Sequence, residues 1–303
     1  MYDILCLSDC CCDLIFQGLP RLPLAGEEEY CRSFSLHAGG GANTPIGLAR
    51  LGLHTAYATT VGSDLLGGVV WDELTTAGIS TDYLQRSAEG SSWVSAVLST
   101  QEDRAFASSA GVSANYSPQE LERMIASSSW VHTYVYYCQK YPALPQLCQR
   151  LQVPLSVDLS YDPSQTLESL APLLRSARLI TPNRDEALAL SASGSVTQAL
   201  NTLSQVCENV VITMGAEGCA AILDGGRYRV YAPEVTPVDA NGAGDLFNAG
   251  LLWARLRGMD AGQQLCMACA CGSLAVTCVG SMDERFCPAN VEALSARVRV
   301  ARI

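Results

Sequence analysis

Asp239-Ala240-Asn241-Gly242-Ala243-Gly244-Asp245 runs into the apolar stretch Leu246 to Ala254, which reads as a helix. Small residues let backbone approach a ligand closely, and the first amides of a helix lack intrahelical partners. Gly242, Ala243 and Gly244 therefore make a ready anion site. Asp245 stands beside it. A carboxylate repels a phosphate that is merely held, but it can deprotonate an alcohol that attacks a phosphoryl group, so the pattern favours transfer over storage. The same residue types also describe a capped helix, because Asp is a favoured N-cap and glycine-rich turns often precede helices.

Four further places carry chemistry. Gly39-Gly40-Gly41-Ala42-Asn43 is a second glycine-rich turn running into a helix. Its backbone permits close approach, and Asn43 offers an acceptor and two donors to polyol hydroxyls; a tight turn capped by Asn43 is the plainer alternative. Asp13 follows the buried strand Ile4 to Leu7, near where ligands of open α/β sheets sit, and a surface Asp at a strand junction has the same appearance. Asn183 and Glu186 are three apart at a helix start. That spacing suits a hydrated magnesium ion and equally a capping box. Thr213-Met214-Gly215-Ala216-Glu217-Gly218 closes a buried strand; its glycines suit a phosphate or a hairpin into Cys219 to Leu223.

The elements that must position these residues alternate. Strands at Thr55 to Gly62, Trp130 to Tyr136, Pro154 to Leu159, Leu179 to Thr181 and Asn209 to Met214 are separated by helical stretches, the pattern of a parallel sheet covered on both faces. One α/β domain over residues 1–303 is expected, since no linker-like stretch divides the chain. Residues 14–35 and 91–108 instead read as a small antiparallel sheet inserted into it, with a polar turn at Gln101-Glu102-Asp103. Such a sheet would act as a lid and pair two chains through its apolar face.

Composition restricts the function classes. The hydrophobic content of 49% against 16% charged residues indicates a globular chain. The net charge of −11 excludes nucleic acid and anionic membranes as general partners, so an anionic ligand must be bound locally. The first residues carry an early Asp and no basic flank, and no stretch is long enough for a membrane helix, so the cytoplasm is expected. Fourteen scattered cysteines read as reduced, mostly buried thiols, and three histidines leave little for His-based metal or triad chemistry.

Taken together, Gly39-Gly40-Gly41-Ala42-Asn43 with Leu51-Gly52, and Asp239 to Asp245 with Ala249-Gly250, resemble the two signatures of the ribokinase-like (PfkB) family of carbohydrate and nucleoside kinases. The resemblance spans nearly the whole chain. It implies a three-layer α/β/α core with a mostly parallel sheet and a small β-sheet lid, and transfer of the γ-phosphoryl of Mg-ATP to a hydroxymethyl group of a sugar, ribose, fructose or a related keto sugar. By match to the motifs, Asp245 is the base and Gly242, Ala243 and Gly244 supply the anion hole. Asp13, Gly39, Gly40 and Asn43 grip the acceptor. Asn183, Thr213, Gly215 and Gly218 hold ATP, with Glu186 reaching magnesium through water. Asp239 and Gly280 imply a monovalent-cation site for potassium, beside which Ala240-Asn241 replaces the family's two threonines. A nucleoside acceptor is the alternative, requiring an aromatic face from the lid or from Tyr134 to Tyr137 to stack a base. A non-catalytic sugar-binding regulator is another, since fold does not fix function.

Overall fold

The computed structural model describes residues 1–100, 104–160, 165–280 and 282–303, so the Gln101-Glu102-Asp103 turn lies outside the described residues. The chain begins with β1 (Ile4–Leu7), β2 (Cys10–Gln17), β3 (Ser33–Gly40), α1 (Asn43–Arg50), β4 (Thr55–Gly62) and α2 (Leu65–Thr76). It continues through β5 (Leu84–Ser87), β6 (Trp93–Ser99), β7 (Arg104–Ser109), α3 (Pro118–Ala126), β8 (Val131–Tyr134), α4 (Val135–Lys140), α5 (Ala143–Leu151) and β9 (Leu155–Asp158). Then follow α6 (Leu167–Ser176), β10 (Leu179–Ile180), α7 (Arg184–Ser191), α8 (Val196–Leu203), β11 (Val210–Thr213), β12 (Cys219–Leu223) and β13 (Gly226–Tyr231). The last elements are α9 (Ala243–Leu256), α10 (Ala261–Ala275), α11 (Pro288–Ser295) and β14 (Arg299–Arg302).

A ten-stranded sheet in the order β14-β13-β12-β11-β10-β9-β8-β1-β4-β5 forms the centre. It is parallel from β5 to β11 and antiparallel through β12, β13 and β14. The period of two along each strand divides its apolar residues between two cores. Ile4, Cys6, Tyr57 and Val211 face one core, with Ile46, Leu246, Trp253 and Leu265 from α1, α9 and α10. Leu5, Leu7, Val210 and Ile212 face the other, with Leu121, Leu144, Leu174 and Leu203 from the helices on the far side. Near-continuous apolar strands of this kind need cover on both faces, which gives the expected three layers. Among the described residues no helix is long and apolar enough to cross a membrane.

The second sheet has the order β3-β2-β6-β7. Its outer pairs are antiparallel, whereas β2 and β6 run parallel, so the sheet expected to be antiparallel is mixed. The reason is connectivity: β6 returns through β4, α2 and β5 of the main domain instead of a hairpin. Its strands also start and end beyond the alternating residues that marked them in the sequence. The run Cys10-Cys11-Cys12, Asp13 and Gly39-Gly40 all belong to it, paired residue by residue as Cys10 with Gly40, Cys11 with Gly39 and Asp13 with His37.

The strand read as Trp130 to Tyr136 stops at Tyr134, and Val135 opens α4. Val, Tyr and Tyr favour strands, but the ladder has run out: β1 ends at Leu7 opposite Thr133, and β9 ends at Asp158 opposite Tyr134. Without a neighbour the backbone closes its hydrogen bonds within a helix.

Candidate active site

The two glycine-rich turns meet where α1 packs on α9. A Cβ on Gly47 would lie 2.9 Å from Ala249 Cβ and 2.9 Å from Leu246 Cδ2, so only glycine lets the helices close this far. Ala42 and Gly242 are the N-caps of α1 and α9, and neither supplies a side-chain cap. Gly242 has φ +68°, a left-handed conformation that glycine adopts without strain, and it swings the chain so that the following amides open the helix.

Asp245 falls in the first turn of α9 and does not cap it; its carboxylate is held from α1 and β8 instead. Tyr134 Oη donates to Oδ1 at 2.7 Å and Asn43 Nδ2 donates to Oδ2 at 3.2 Å. Thr44 Oγ1 reaches the Asp245 carbonyl oxygen at 3.2 Å and Oδ1 at 3.5 Å. Asp245 keeps some accessible surface, yet protein surrounds the carboxyl, and burial pushes it up to about 6 against the pull of those hydrogen bonds. A base that titrates there is ionised at neutral pH and still basic enough to accept a proton. Asn43 likewise does not cap α1; its amide nitrogen bridges Asp245 and, at 3.4 Å, the Gly40 carbonyl.

Asp13 lies across from this carboxylate on β2. It accepts from Asn241 Nδ2 at 3.2 Å and from Cys11 Sγ at 3.2 Å. A Cβ on Gly39 would sit 2.1 Å from Asp13 Oδ2, so glycine there makes room for the acid. Burial raises the Asp13 carboxyl, opposed by its bonds to Cys11 and Asn241. Asn43, Gly40, Asn241 and Asp245 line one cavity of about 400 Å³ together with Asp9, Cys10, Cys11, Gly41, Trp93, Tyr134, Tyr136 and Ser160. That size is within the usual range for small-molecule sites.

Asn183 and Glu186 form the capping box that their spacing allowed: Glu186 N donates to Asn183 Oδ1 at 2.9 Å and Asn183 N to Glu186 Oε2 at 2.8 Å. Asn183 bridges Thr213 in the sheet, which brings the Asn-x-x-Glu and Thr213 segments together. Gly215 and Gly218, with φ +56° and +91°, bound a single 3₁₀ turn that leads into β12. These five positions lie outside the lining of that cavity.

Between the two regions stands Asp158, which sequence reasoning missed. It ends β9 and accepts from Asn248 Nδ2 at 2.6 Å. Burial first, then the charges of Asp245 and Glu186, push its carboxyl well above the usual carboxylate range. Acids that oppose one another in this way fit a hydrated magnesium ion brought in by a nucleotide phosphate. Among the described residues no three His, Cys, Asp or Glu side chains converge into a metal-binding group.

Asp239 fits a monovalent cation less well. Its Oδ1 accepts from Asn241 N at 2.9 Å and faces Arg104 Nη1 from β7 at 3.7 Å, so a guanidinium already supplies positive charge there. Gly280 packs against His37 instead, a Cβ on it falling 2.7 Å from His37 Cδ2.

Thr44, Asn248 and Trp93 were also not given roles from the sequence, and Tyr134 entered only as part of an aromatic face for a base. The signal available for Thr44 and Asn248 was a polar residue one and three positions beyond a candidate, Asn43 and Asp245, on an otherwise apolar helix. Nothing in the linear order places Tyr134 against Asp245.

A family model described as pfkB family carbohydrate kinase matches residues 1–285. An uncharacterised sugar kinase of Archaeoglobus fulgidus is 31% identical over 224 residues, which cover 71% of this chain and 88% of that one. Ribokinase of Bacillus subtilis is 27% identical over 289 residues, covering 93% of this chain and 95% of the relative. The solved structure of Arabidopsis thaliana ribokinase complexed with ribose and ATP has the same fold, with a TM-score of 0.83 at 21% identity, over 97% of this chain and 98% of that one. Because the family match runs across both glycine-rich turns and the sheet that joins them, the chain belongs to the pfkB family of carbohydrate kinases and is a sugar kinase, hence a phosphotransferase.

Proposed function

We propose that this sugar kinase transfers the γ-phosphoryl group of Mg-ATP to a hydroxymethyl group of its acceptor, with Asp245 as general base. The observation that carries the reading is the placement of a carboxylate, raised to about 6 by burial, in the first turn of a helix whose opening amides follow a left-handed Gly242. The acceptor lies in the cavity beside Asn43, held by Asp13, Asn43 and the backbone of Gly39 and Gly40. Ionised Asp245 takes the hydroxyl proton as the oxygen attacks phosphorus, the bond to the ADP leaving oxygen breaks, and the amides of Gly242, Ala243 and Gly244 stabilise the charge on the phosphoryl oxygens. Asn183, Thr213, Gly215 and Gly218 hold the nucleotide. Magnesium would neutralise phosphate charge when bound, and Glu186 and Asp158 would hold it through water. The protein works in the cytoplasm, where ATP is supplied and where its free, mostly buried thiols stay reduced.

ADP release from Mg-ATP across a panel of pentoses, hexoses, keto sugars and nucleosides tests the transfer. Asp245→Asn should bind ATP and acceptor yet lose about 100- to 10,000-fold in turnover. Near-normal turnover would remove the base, and acceptor binding without turnover by the wild type would identify a sugar-binding regulator.

A further inference from the structure

Two acids are buried near one another where the small sheet meets the α9 turn. Asp13 on β2 is 6% exposed, and Asp239 at the start of the turn is 8% exposed. Burial first, and the Asp239 charge with it, raise the Asp13 carboxyl. Asn241 ties the two together: its backbone N–H donates to Asp239 Oδ1 at 2.9 Å and its side-chain amide to Asp13 Oδ2 at 3.2 Å. The same turn leads into Gly242, Ala243 and Gly244, the proposed anion hole. Carboxylates buried beside an incoming phosphate need positive charge close by, or they repel what the turn is to hold.

A resident monovalent cation is one source of that charge, and the residues present do not fit it. A cation stripped of water needs several oxygens aimed at one point. Ala240 and Asn241 follow Asp239, so no hydroxyl comes after the acid. The Gly280 carbonyl accepts from Met282 N at 2.9 Å, and the His37 ring packs where a Cβ on Gly280 would lie. The Val276 carbonyl accepts from Val238 N at 2.6 Å and from Asp239 N at 3.2 Å. What faces Asp239 instead is a guanidinium, with Arg104 Nη1 of β7 at 3.7 Å from Oδ1.

We propose that Arg104 takes the place of a monovalent cation: its charge offsets the Asp239 and Asp13 carboxylates and steadies the turn that opens α9, so that phosphoryl transfer needs no potassium. A dissolved ion would reach the turn at any position of the small sheet. Arg104 is carried by that sheet, so its charge arrives only where the sheet lies against α9. It contacts neither reactant in this scheme and is a positioning residue. The proposal rests on the α9 turn and Asp245 as the transfer centre, but cation binding can be read without turnover.

The first measurement is the melting temperature of the wild type as potassium chloride replaces tetramethylammonium chloride at constant ionic strength. No shift is expected, because an ion that bound the folded chain would raise the melting temperature with its concentration. A rise specific to potassium would overturn the proposal whether or not the protein turns over. The second is ADP release in both salts with the acceptor that the panel identifies, where the wild type should run at the same rate in each. Arg104→Ala should lose roughly 10- to 100-fold in kcat/KM, less than truncation of a fully buried pair because the arginine side chain is 34% exposed. Arg104→Lys, or guanidinium chloride added at millimolar concentration to Arg104→Ala, should recover most of that loss, which a purely structural role would not allow. Potassium activation of the wild type would overturn the proposal, as would unchanged activity in Arg104→Ala or a loss that neither lysine nor guanidinium restores. A fully active Asp245→Asn with an unshifted melting temperature would remove the base and leave the Arg104 assignment standing.

Discussion

At Asp245 burial and hydrogen bonding pull in opposite directions. Burial disfavours the charged carboxylate, and the donors Tyr134, Asn43 and Thr44 favour it, with burial prevailing and the group titrating at about 6. The base must be ionised, so kcat/KM should fall about tenfold per pH unit below about 6, as a pH–rate profile would show. Tyr134→Phe removes a donor to the charged form, which raises the pKa further and moves the acid limb to higher pH; an unmoved limb would make the 2.7 Å contact merely structural. Linkage gives an independent check. A carboxyl whose folded pKa is raised contributes stability that is fully present below the ordinary pKa near 4 and is lost as pH rises through about 6. Asp245→Asn should therefore melt higher than the wild type at pH 7.5, and the gap should close toward pH 4.

The elements that present these side chains are joined by small residues and by caps. Gly47 lets α1 close on α9, and a Cβ on Gly250 would lie 2.6 Å from Cys271 Sγ, so α10 closes on the other side of the same helix. The helix that carries Asp245 is thereby fixed between two neighbours, an arrangement that would hold a base in place without help from the ligand. At the start of α7 the capping box and the proposed contact with magnesium fall on the same carboxylate, Glu186. Glu186→Gln separates them, because Gln also completes a capping box. The melting temperature should stay close to that of the wild type, while half-saturating magnesium for activity rises by roughly 10- to 100-fold, the usual loss when an indirect contact to a metal is removed. Unchanged magnesium dependence would leave Glu186 as a cap alone.

Over the whole molecule, the small sheet is tied to the α9 turn by two polar contacts, Asp13 with Asn241 at 3.2 Å and Arg104 with Asp239 at 3.7 Å. The residues proposed to grip the acceptor are thereby linked to those proposed to stabilise the phosphoryl group, which suits a lid that completes the site as the acceptor enters. Phe34 and Phe106 on this sheet are 52% and 53% exposed, which supports pairing of two lids in a homodimer. Phe106→Glu should give the mass of a single chain by light scattering where the wild type gives two; a wild type already monomeric at micromolar concentration would end that reading.

Much of this was legible in the linear order because it depends on local patterns. Apolar strands alternating with helical stretches specify a parallel sheet, since such strands need cover on both faces, and two glycine-rich turns before helices mark where backbone meets ligand. The chemistry assigned to Asp245 needs only its own turn. Its proton affinity does not, because that depends on Tyr134, 111 positions away in sequence, and Asn43, 202 positions away, arriving at one carboxylate. The end of β8 at Tyr134 was set by where β1 and β9 stop, and the parallel pairing of β2 with β6 by a crossover through the main domain. Long-range pairing also placed Cys11 beside Trp93 and Asp158 within reach of the charges on Asp245 and Glu186. Periodicity states which face of an element is apolar; only packing decides which residues from distant elements share a cavity, and with it the electrostatics and the shape that select a substrate.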